Sequence, residues 1–195
     1  ETEEIIMSGM GELHLQIYAE RIRREYDIDV VVGNPEVNYR ESITEAGNYN
    51  YLHKKQSGGS GQFARVIGYI EPLIEDFSKN SDKSNLFVDK TGGQNIPHEY
   101  VSAVEKAFHE NCKRGPLTGS PVIGMKYVLE DGQTHPVDSS GLAFALATKY
   151  SITQAFKDAN PVLLEPIMNV EISGPAECQS AIMNSISKRK GQIND

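Results

Sequence analysis

A glycine-rich turn between two strand-like segments restricts the fold of the middle of the chain. The segments NYNYLHKK (48–55) and RVIGYIEPL (65–73) are rich in aromatic and β-branched residues, and QSGGSGQ (56–62) separates them. Glycine and serine runs punctuate strands and do not continue them. With a third strand-like segment at 37–43, the pattern predicts a meander or mixed β-sheet with a hairpin at the glycine turn.

Helical periodicity and a further strand follow this sheet. A helix is predicted after Pro97, a strand at 121–132 that ends in a turn at 130–133, and a second helix capped by Ser139 and Ser140. The predicted buried positions of the first helix are Val101, Val104, Phe108 and Cys112, and those of the second are Leu142, Leu146, Tyr150 and Phe156. Residues 36 to about 162 therefore read as a complete α+β domain.

The two ends of the chain look like parts of other domains. Residues 4–10 and 29–32 are predicted strands on either side of an amphipathic helix, and residues 167–173 form a predicted strand before a helix that begins at Pro175. Because the chain starts on Glu1 and inside such a pattern, we interpret it as an excised fragment. The polar stretch 78–85 is interpreted as a disordered surface insertion.

Composition excludes several classes of protein. The chain has 195 residues and a net charge of -8, which argues against a nucleic-acid coat protein with a broad basic face. No apolar run approaches the roughly 20 residues of a membrane helix. Cys112 and Cys178 lack the spacing of a zinc or redox motif and are predicted to be core thiols, and no metal site is predicted.

The glycine turn allows two interpretations. It lacks the GK[ST] ending of a phosphate-binding loop and leads into a strand, so a nucleotide site is disfavoured. It is either a plain surface turn or a backbone surface for a polyanion. Lys54, Lys55 and Arg65 flank it without an intervening acid, which favours a local cationic contact.

The segment GQTHPVDSSG (132–141) brings histidine, aspartate and serine together and raises the alternative of a hydrolase. The residues are too close in sequence for an ordinary catalytic triad, and no GxSxG motif is present. A helix-capping turn is the simpler interpretation.

Six segments in the same order resemble elongation factor G. They are GMGELHL (9–15), PEVNYRESI (35–43), KKQSGGSGQF (54–63), GPLTGSPV (115–122), HPVDSSGLAF (135–144) and LLEPIMNVEI (163–172). The sequences HKKQSGG and VIGYIEPL resemble those of the mitochondrial type. Many bacterial members carry an arginine where this chain has Ser60.

The resemblance implies a domain division and a fold class. Residues 1–34 would be the C-terminal part of domain III, residues 35–162 domain IV, and residues 163–195 the start of domain V. The implied fold is α+β, with a central domain of the domain IV type, which has a left-handed βαβ topology, between two partial ferredoxin-like α/β sandwiches.

The resemblance also implies a function without catalysis in this fragment. Domain IV would insert two tip loops into the decoding region of the ribosome and promote GTP-dependent movement of tRNA and mRNA. A ribosome-recycling paralogue and a ribosome-protection protein are alternatives with the same fold, and a stand-alone enzyme using His135 and Asp138 is an alternative of another class. The implied tip residues are Lys54, Lys55, Gln56, Ser57, Gly58, Gly59, Ser60, Gly61, Gln62, Arg65, His135, Pro136 and Asp138.

The remaining expectations follow from the same resemblance. GTP and magnesium would bind an N-terminal GTPase domain that lies outside this chain, so the fragment itself would hold no cofactor. The partners would be the ribosome, its RNA, tRNA and mRNA, with the protein monomeric and not membrane-bound. The mitochondrial matrix is the implied location, with another organelle or the bacterial cytoplasm left open.

Overall fold

The structure is a computed structural model that describes residues 5–33, 37–56, 61–73, 85–93 and 95–193. The chain divides into two compact units, residues 1–165 and residues 166–195. The first contains three helices and six strands among its described residues: α1 (Glu12–Tyr26), β1 (Arg40–Ile43), β2 (Gly47–Lys55), β3 (Gln62–Pro72), β4 (Asn85–Asp89), α2 (His98–Cys112), β5 (Met125–Gln133), α3 (Gly141–Asp158) and β6 (Pro161–Leu164).

The central feature of the first unit is a four-stranded sheet in the order β2-β3-β5-β4. β3 pairs with β2 and with β5 in antiparallel orientation, and β4 pairs with β5 in parallel. Because α2 connects these two parallel strands, β4, α2 and β5 form a βαβ unit. β1 and β6 form a separate antiparallel pair.

Both long helices cover one face of the sheet. α3 packs against β2 and β3, and α2 packs against α3 and β4. Along β3, Ala64, Val66, Gly68 and Ile70 are buried while the residues between them are partly exposed, which is the alternation of a sheet covered on one side. Phe108, Tyr127, Phe144 and Phe156 fill the space between helices and sheet.

Most predicted elements of this domain are confirmed, with corrections at their ends. The predicted strand at 37–43 is shortened to β1, and the predicted turn at 130–133 is wrong, because β5 continues to Gln133 opposite Arg65 of β3. β4 was missed: Asn85 begins it instead of ending a polar insertion. The rest of the predicted insertion, 78–84, lies outside the described residues.

The predicted core face of α2 is confirmed, whereas on α3 only Phe156 of the four predicted positions is buried. Val101, Val104, Phe108 and Cys112 of α2 are all buried. On α3, Leu142 and Tyr150 are exposed, and the buried positions include Ala143, Ala147, Ser151 and Ala155. Small side chains on the buried face let the helix axis approach the sheet: a Cβ added at Gly47 of β2 would lie 2.3 Å from the Ala155 carbonyl oxygen. Large side chains at these positions would hold the helix away.

The segment before β1 contains α1 and no strand at the described residues 5–10 or 29–32, so both predicted strands are wrong there. A strand needs a hydrogen-bonded neighbour, and neither segment has one among the described residues. Their apolar side chains remain in solvent, with Val31 96% exposed. α1 buries none of its residues.

The second unit contains a short 3-10 helix (Ala176–Cys178) followed by α4 (Gln179–Lys188). The predicted strand at 167–173 is absent, for the same lack of a pairing neighbour in the described part of the chain. Ile182 and Ile186 are half-buried, but Cys178 is exposed, so its prediction as a core thiol is wrong. Cys112 is buried, as predicted.

Four elements of the first unit meet at one end. β2 ends and β3 begins there, and β5 ends shortly before α3 starts. We call this end the tip. The opposite end, where α2 ends and β5 begins, is called the base. The tip brings together the two segments in which the sequence places its candidate residues.

Candidate functional site

The first tip loop is fixed by the register of the β2–β3 hairpin. Lys55 pairs with Gln62, so the strands end there and residues 56–61 form the connection. Ser57, Gly58, Gly59 and Ser60 lie outside the described residues. Of the remainder, Gln56 is exposed and Gly61 is half-buried. The predicted hairpin is confirmed.

The second tip loop, residues 134–140, is a compact turn held by its own polar groups. The His135 N–H donates to Ser139 Oγ at 2.8 Å, and the Ser139 N–H donates to the His135 carbonyl at 3.2 Å. Ser140 Oγ accepts from the Ala143 N–H at 3.2 Å and caps α3, which confirms half of the predicted serine cap. Ser139 instead belongs to the turn.

Three hydrogen bonds join the two loops. Asp138 Oδ1 accepts from the Gly61 N–H at 2.9 Å, and the Asp138 carbonyl accepts from the Phe63 N–H at 2.9 Å. Ser139 Oγ donates to the Phe63 carbonyl at 2.8 Å. A Cβ at Gly61 would lie 3.2 Å from Asp138 Cγ, so glycine suits this close approach. The tip is therefore one hydrogen-bonded structure and not two independent loops.

The His135 ring is the most prominent polar group of the second loop. Its side chain is 47% exposed, and its ring lies 5.8 Å from the ring of Phe63. Nδ1 accepts from the Asp138 N–H at 3.2 Å, while Asp138 Oδ2 lies 3.4 Å from the same nitrogen. The shorter contact needs a lone pair on Nδ1, so the neutral ring carries its proton on Nε2. Pro136 beside it is exposed and limits the backbone freedom of the loop.

The predicted group of three cations is divided between two faces of the hairpin. Successive strand residues point to opposite faces, so Lys55 lies on the face covered by the helices and Lys54 on the other, with Arg65. Lys54 and Lys55 are exposed. Arg65 donates to Asn50 Oδ1 at 2.9 Å and to Gln133 Oε1 at 3.3 Å, so side-chain hydrogen bonds orient its guanidinium group. Lys54 and Lys55 are exposed charges of the tip.

Gln62 and Asp138 were predicted to contact RNA, and both make hydrogen bonds within the protein. Gln62 Oε1 accepts from His53 Nε2 at 2.9 Å, and Asp138 holds Gly61. Phe63 was missed as a tip residue, although its position opposite Lys54 in the hairpin register was available from strand alternation. β3 lies between β2 and β5 and pairs with both, so the two loops meet at the same end of the sheet.

The geometry does not support the hydrolase alternative. Ser139 Oγ is engaged with the His135 N–H and the Phe63 carbonyl, and Ser140 Oγ caps α3. Within the described ranges neither hydroxyl is hydrogen-bonded to the His135 imidazole, which a nucleophile and its base require. No group of three or more His, Cys, Asp or Glu side chains in the same ranges could hold a metal ion. Among the described helices, none is long and apolar enough to cross a membrane.

Comparison with known proteins matches the whole chain in three consecutive parts. Residues 1–34 match the family model for elongation factor G domain III, residues 35–160 that for elongation factor G domain IV, and residues 162–195 that for the elongation factor G C-terminus. A crystal structure from Thermus thermophilus is 35% identical, with a TM-score of 0.82. The match covers 96% of this chain and 27% of that one, so the chain spans about a quarter of its structural relative.

The matched parts include no GTPase domain, and the mixed α+β fold is that of domain IV. Because the domain IV match alone covers more than half of the sequence, this chain belongs to the elongation factor G family, whose members are translational GTPases.

Proposed function

We propose that the chain is the tip-bearing part of a ribosomal translocase of the mitochondrial type. Its domain IV inserts the tip into the decoding region and promotes movement of tRNA and mRNA, driven by GTP and magnesium bound to an N-terminal domain of the full-length protein. The fragment performs no catalysis, binds ribosomal RNA, tRNA and mRNA, and acts as a monomer in the mitochondrial matrix.

The observation that supports this proposal is that hydrogen bonds join the two loops at one end of the domain. Asp138 and Ser139 tie the second loop to Gly61 of the first loop and to Phe63 at the start of β3. An element that pushes against RNA must transmit force without yielding. A tip braced by three strands, a helix and three hydrogen bonds suits such a role better than an unsupported glycine turn.

The chemistry available at the tip fits RNA backbone better than protein. Lys54 and Lys55 are exposed cations on a chain with a net charge of -8, so positive charge is local. Gln56 and His135 offer hydrogen-bond donors to sugar, base or phosphate oxygens. The contact is steric and electrostatic, and no bond is made or broken there.

The mitochondrial assignment is supported by two stretches of sequence, HKKQSGG (53–59) and VIGYIEPL (66–73). Localisation of the full-length protein by organelle fractionation tests it directly. Recovery only in another compartment would overturn the assignment without affecting the proposed tip.

The test of the function is single-turnover movement of mRNA and tRNA on matched ribosomes, with GTP hydrolysis followed in parallel. The full-length protein is compared with His135→Ala and with His109→Ala, which changes an exposed histidine of α2 outside the tip. We expect His135→Ala to slow movement at least about tenfold, equivalent to about 1.4 kcal/mol, without slowing hydrolysis, and His109→Ala to do neither. A wild-type protein that hydrolyses GTP but moves nothing would instead indicate a ribosome-recycling factor.

A further inference from the structure

Three aromatic rings form a cluster on the side of the central unit, outside the tip loops. The Tyr150 ring of α3 lies 5.5 Å from the Tyr51 ring at an interplanar angle of 28°, and 6.5 Å from the His53 ring at 9°. The Tyr150 ring is therefore stacked with both of the other rings. We call Tyr51, His53 and Tyr150 the aromatic platform.

The platform lies at the edge of the fold and not in its core. β2 is an edge strand of the sheet, so no further strand in the described part of the chain covers this side of it. Tyr150 is 44% exposed, and Tyr51 and His53 are half-buried. Other residues of α3, among them Phe144 and Phe156, are buried and fill the core. Tyr150, the exposed ring of the three, is therefore available for stacking with a ligand.

Polar and cationic groups border the rings. His53 donates from Nε2 to Gln62 Oε1 at 2.9 Å, which fixes its ring and connects the platform to the first tip loop. Lys55 lies on the same face of β2 as His53, two residues nearer the tip. Lys149 precedes Tyr150 on α3, and both lysines are exposed. Single-stranded RNA is bound in general by aromatic faces that stack on bases next to cations that attract phosphates.

We propose that the aromatic platform stacks an unpaired base of a single-stranded RNA segment, whose phosphate is attracted by Lys55. This inference rests on the proposed function insofar as RNA must reach the tip. An apolar protein segment fits less well, because Lys55 follows the rings along the same face of β2 and Lys149 adjoins Tyr150 in α3, on a chain with a net charge of -8.

The test uses the 195-residue chain and a 12-nucleotide RNA without self-complementarity, carrying a 2-aminopurine base whose fluorescence falls on stacking. The variants are Tyr150→Leu, which keeps a bulky apolar side chain, Tyr150→Phe, which keeps the ring, and Tyr26→Ala, which removes an exposed tyrosine of α1. We expect Tyr150→Leu to weaken binding roughly tenfold or more, and Tyr150→Phe and Tyr26→Ala to bind like the wild type with the same quenching.

Several results would overturn the inference. Wild-type affinity in Tyr150→Leu, equal losses in Tyr150→Leu and Tyr26→Ala, or a loss in Tyr150→Phe would each exclude specific stacking on this ring. A wild-type dimer that Tyr150→Leu converts to a monomer in sedimentation would show that a second copy covers the platform.

The outcome is separable from that of the proposed function. RNA binding that is lost in Lys54→Ala but kept in Tyr150→Leu would leave the tip proposal standing and overturn the platform. RNA stacking on Tyr150 in a protein that moves no mRNA would support the platform and overturn the proposed function.

Discussion

The two ends of the central unit are each organised by one carboxylate, but in opposite ways. At the base, Glu41 is fully buried and accepts from the N–H groups of Leu117, Thr118 and Ser120 at 2.8–3.1 Å. At the tip, Asp138 is partly exposed and accepts from the Gly61 N–H. We call residues 115–120 the base loop.

The difference indicates that the base contributes to stability, whereas the tip leaves polar groups available for a partner. The base loop turns its donors inward onto one carboxylate, and a Cβ at Gly115 would lie 2.0 Å from Glu41 Oε2, so the site is closed. The tip uses Asp138 and Ser139 to join its loops and leaves Lys54, Gln56 and His135 in solvent. Polar groups satisfied inside the protein stabilise it, whereas polar groups left outside can bind a partner.

The largest expected contrast between the ends is in thiol reactivity. Cys112 ends α2 at the base, and its carbonyl accepts from the Val122 N–H at 2.7 Å. Burial raises the pKa of its thiol to about 12. A pKa about three units above the usual value lowers the thiolate fraction at pH 8 roughly a thousandfold. In a Cys178→Ser background we expect rapid labelling of a cysteine placed at the tip by Gln56→Cys, and labelling of Cys112 at least about a thousandfold slower.

The pH dependence gives a second check on the same thiol. The raised pKa of Cys112 means that the folded state holds its proton more tightly than the unfolded state, so this contribution to stability is lost as pH rises from about 9 towards 12. A stability that stayed constant over that range in wild type and in Cys112→Ala alike would contradict the burial of the thiol.

Removing the base carboxylate is expected to cause the largest loss of stability. Glu41→Ala leaves three backbone donors of the base loop without their acceptor, and each such loss costs about 1–3 kcal/mol, so the free energy of unfolding should fall by at least about 3 kcal/mol. Urea denaturation of the chain measures it. Glu110→Ala, which removes an exposed acid near the base, is the control and should change stability by less than about 0.5 kcal/mol.

The tip carboxylate should have a smaller effect on stability and a larger one on function. Asp138→Ala breaks the hydrogen bond to Gly61 and should lower the free energy of unfolding by about 1 kcal/mol while slowing mRNA movement by the full-length protein. Asp138→Asn keeps an acceptor oxygen at the same position and should retain both properties. Equal defects in the two variants would mean that the negative charge matters and the loop contact does not.

The smallest stability change is expected at His135. Its Nδ1 accepts from the Asp138 N–H, and an asparagine oxygen can accept from the backbone in a similar turn. His135→Asn should therefore alter the free energy of unfolding by less than about 0.5 kcal/mol. If His135→Asn moves mRNA as slowly as His135→Ala, the imidazole itself makes the contact, and full activity of His135→Asn would show that only the shape of the turn is needed.

Local patterns predicted the hairpin and α2 from the sequence, and missed what depends on distant neighbours. The alternation along β2 and β3 and the four apolar positions of α2 are visible in single segments. The buried face of α3 is not visible in its own segment. Its small residues pack where Gly47 of β2 leaves room, and that contact appears only in the packed structure. β4 could have been recognised from Phe87 and Val88, whose apolar and β-branched side chains are typical of a short strand.

The same limit applies to the tip. The resemblance to elongation factor G identified both loops, but the hydrogen bond from Gly61 to Asp138 joins residues 77 positions apart and has no signature in either segment. The division of Lys54 and Lys55 between two faces was available from strand alternation. The Tyr51–Tyr150 contact joins β2 to α3 and required the packed structure.

Directed cleavage of RNA on the ribosome tests most directly which end makes the contact. In a Cys178→Ser background of the full-length protein, an iron chelate that generates hydroxyl radicals is attached at the tip through Gln56→Cys or at the base through Lys113→Cys, both exposed positions. We predict cleavage of decoding-region RNA from position 56 and none there from position 113. Cleavage of that region from position 113, or from neither position in a protein bound to ribosomes, would contradict the assignment of the tip.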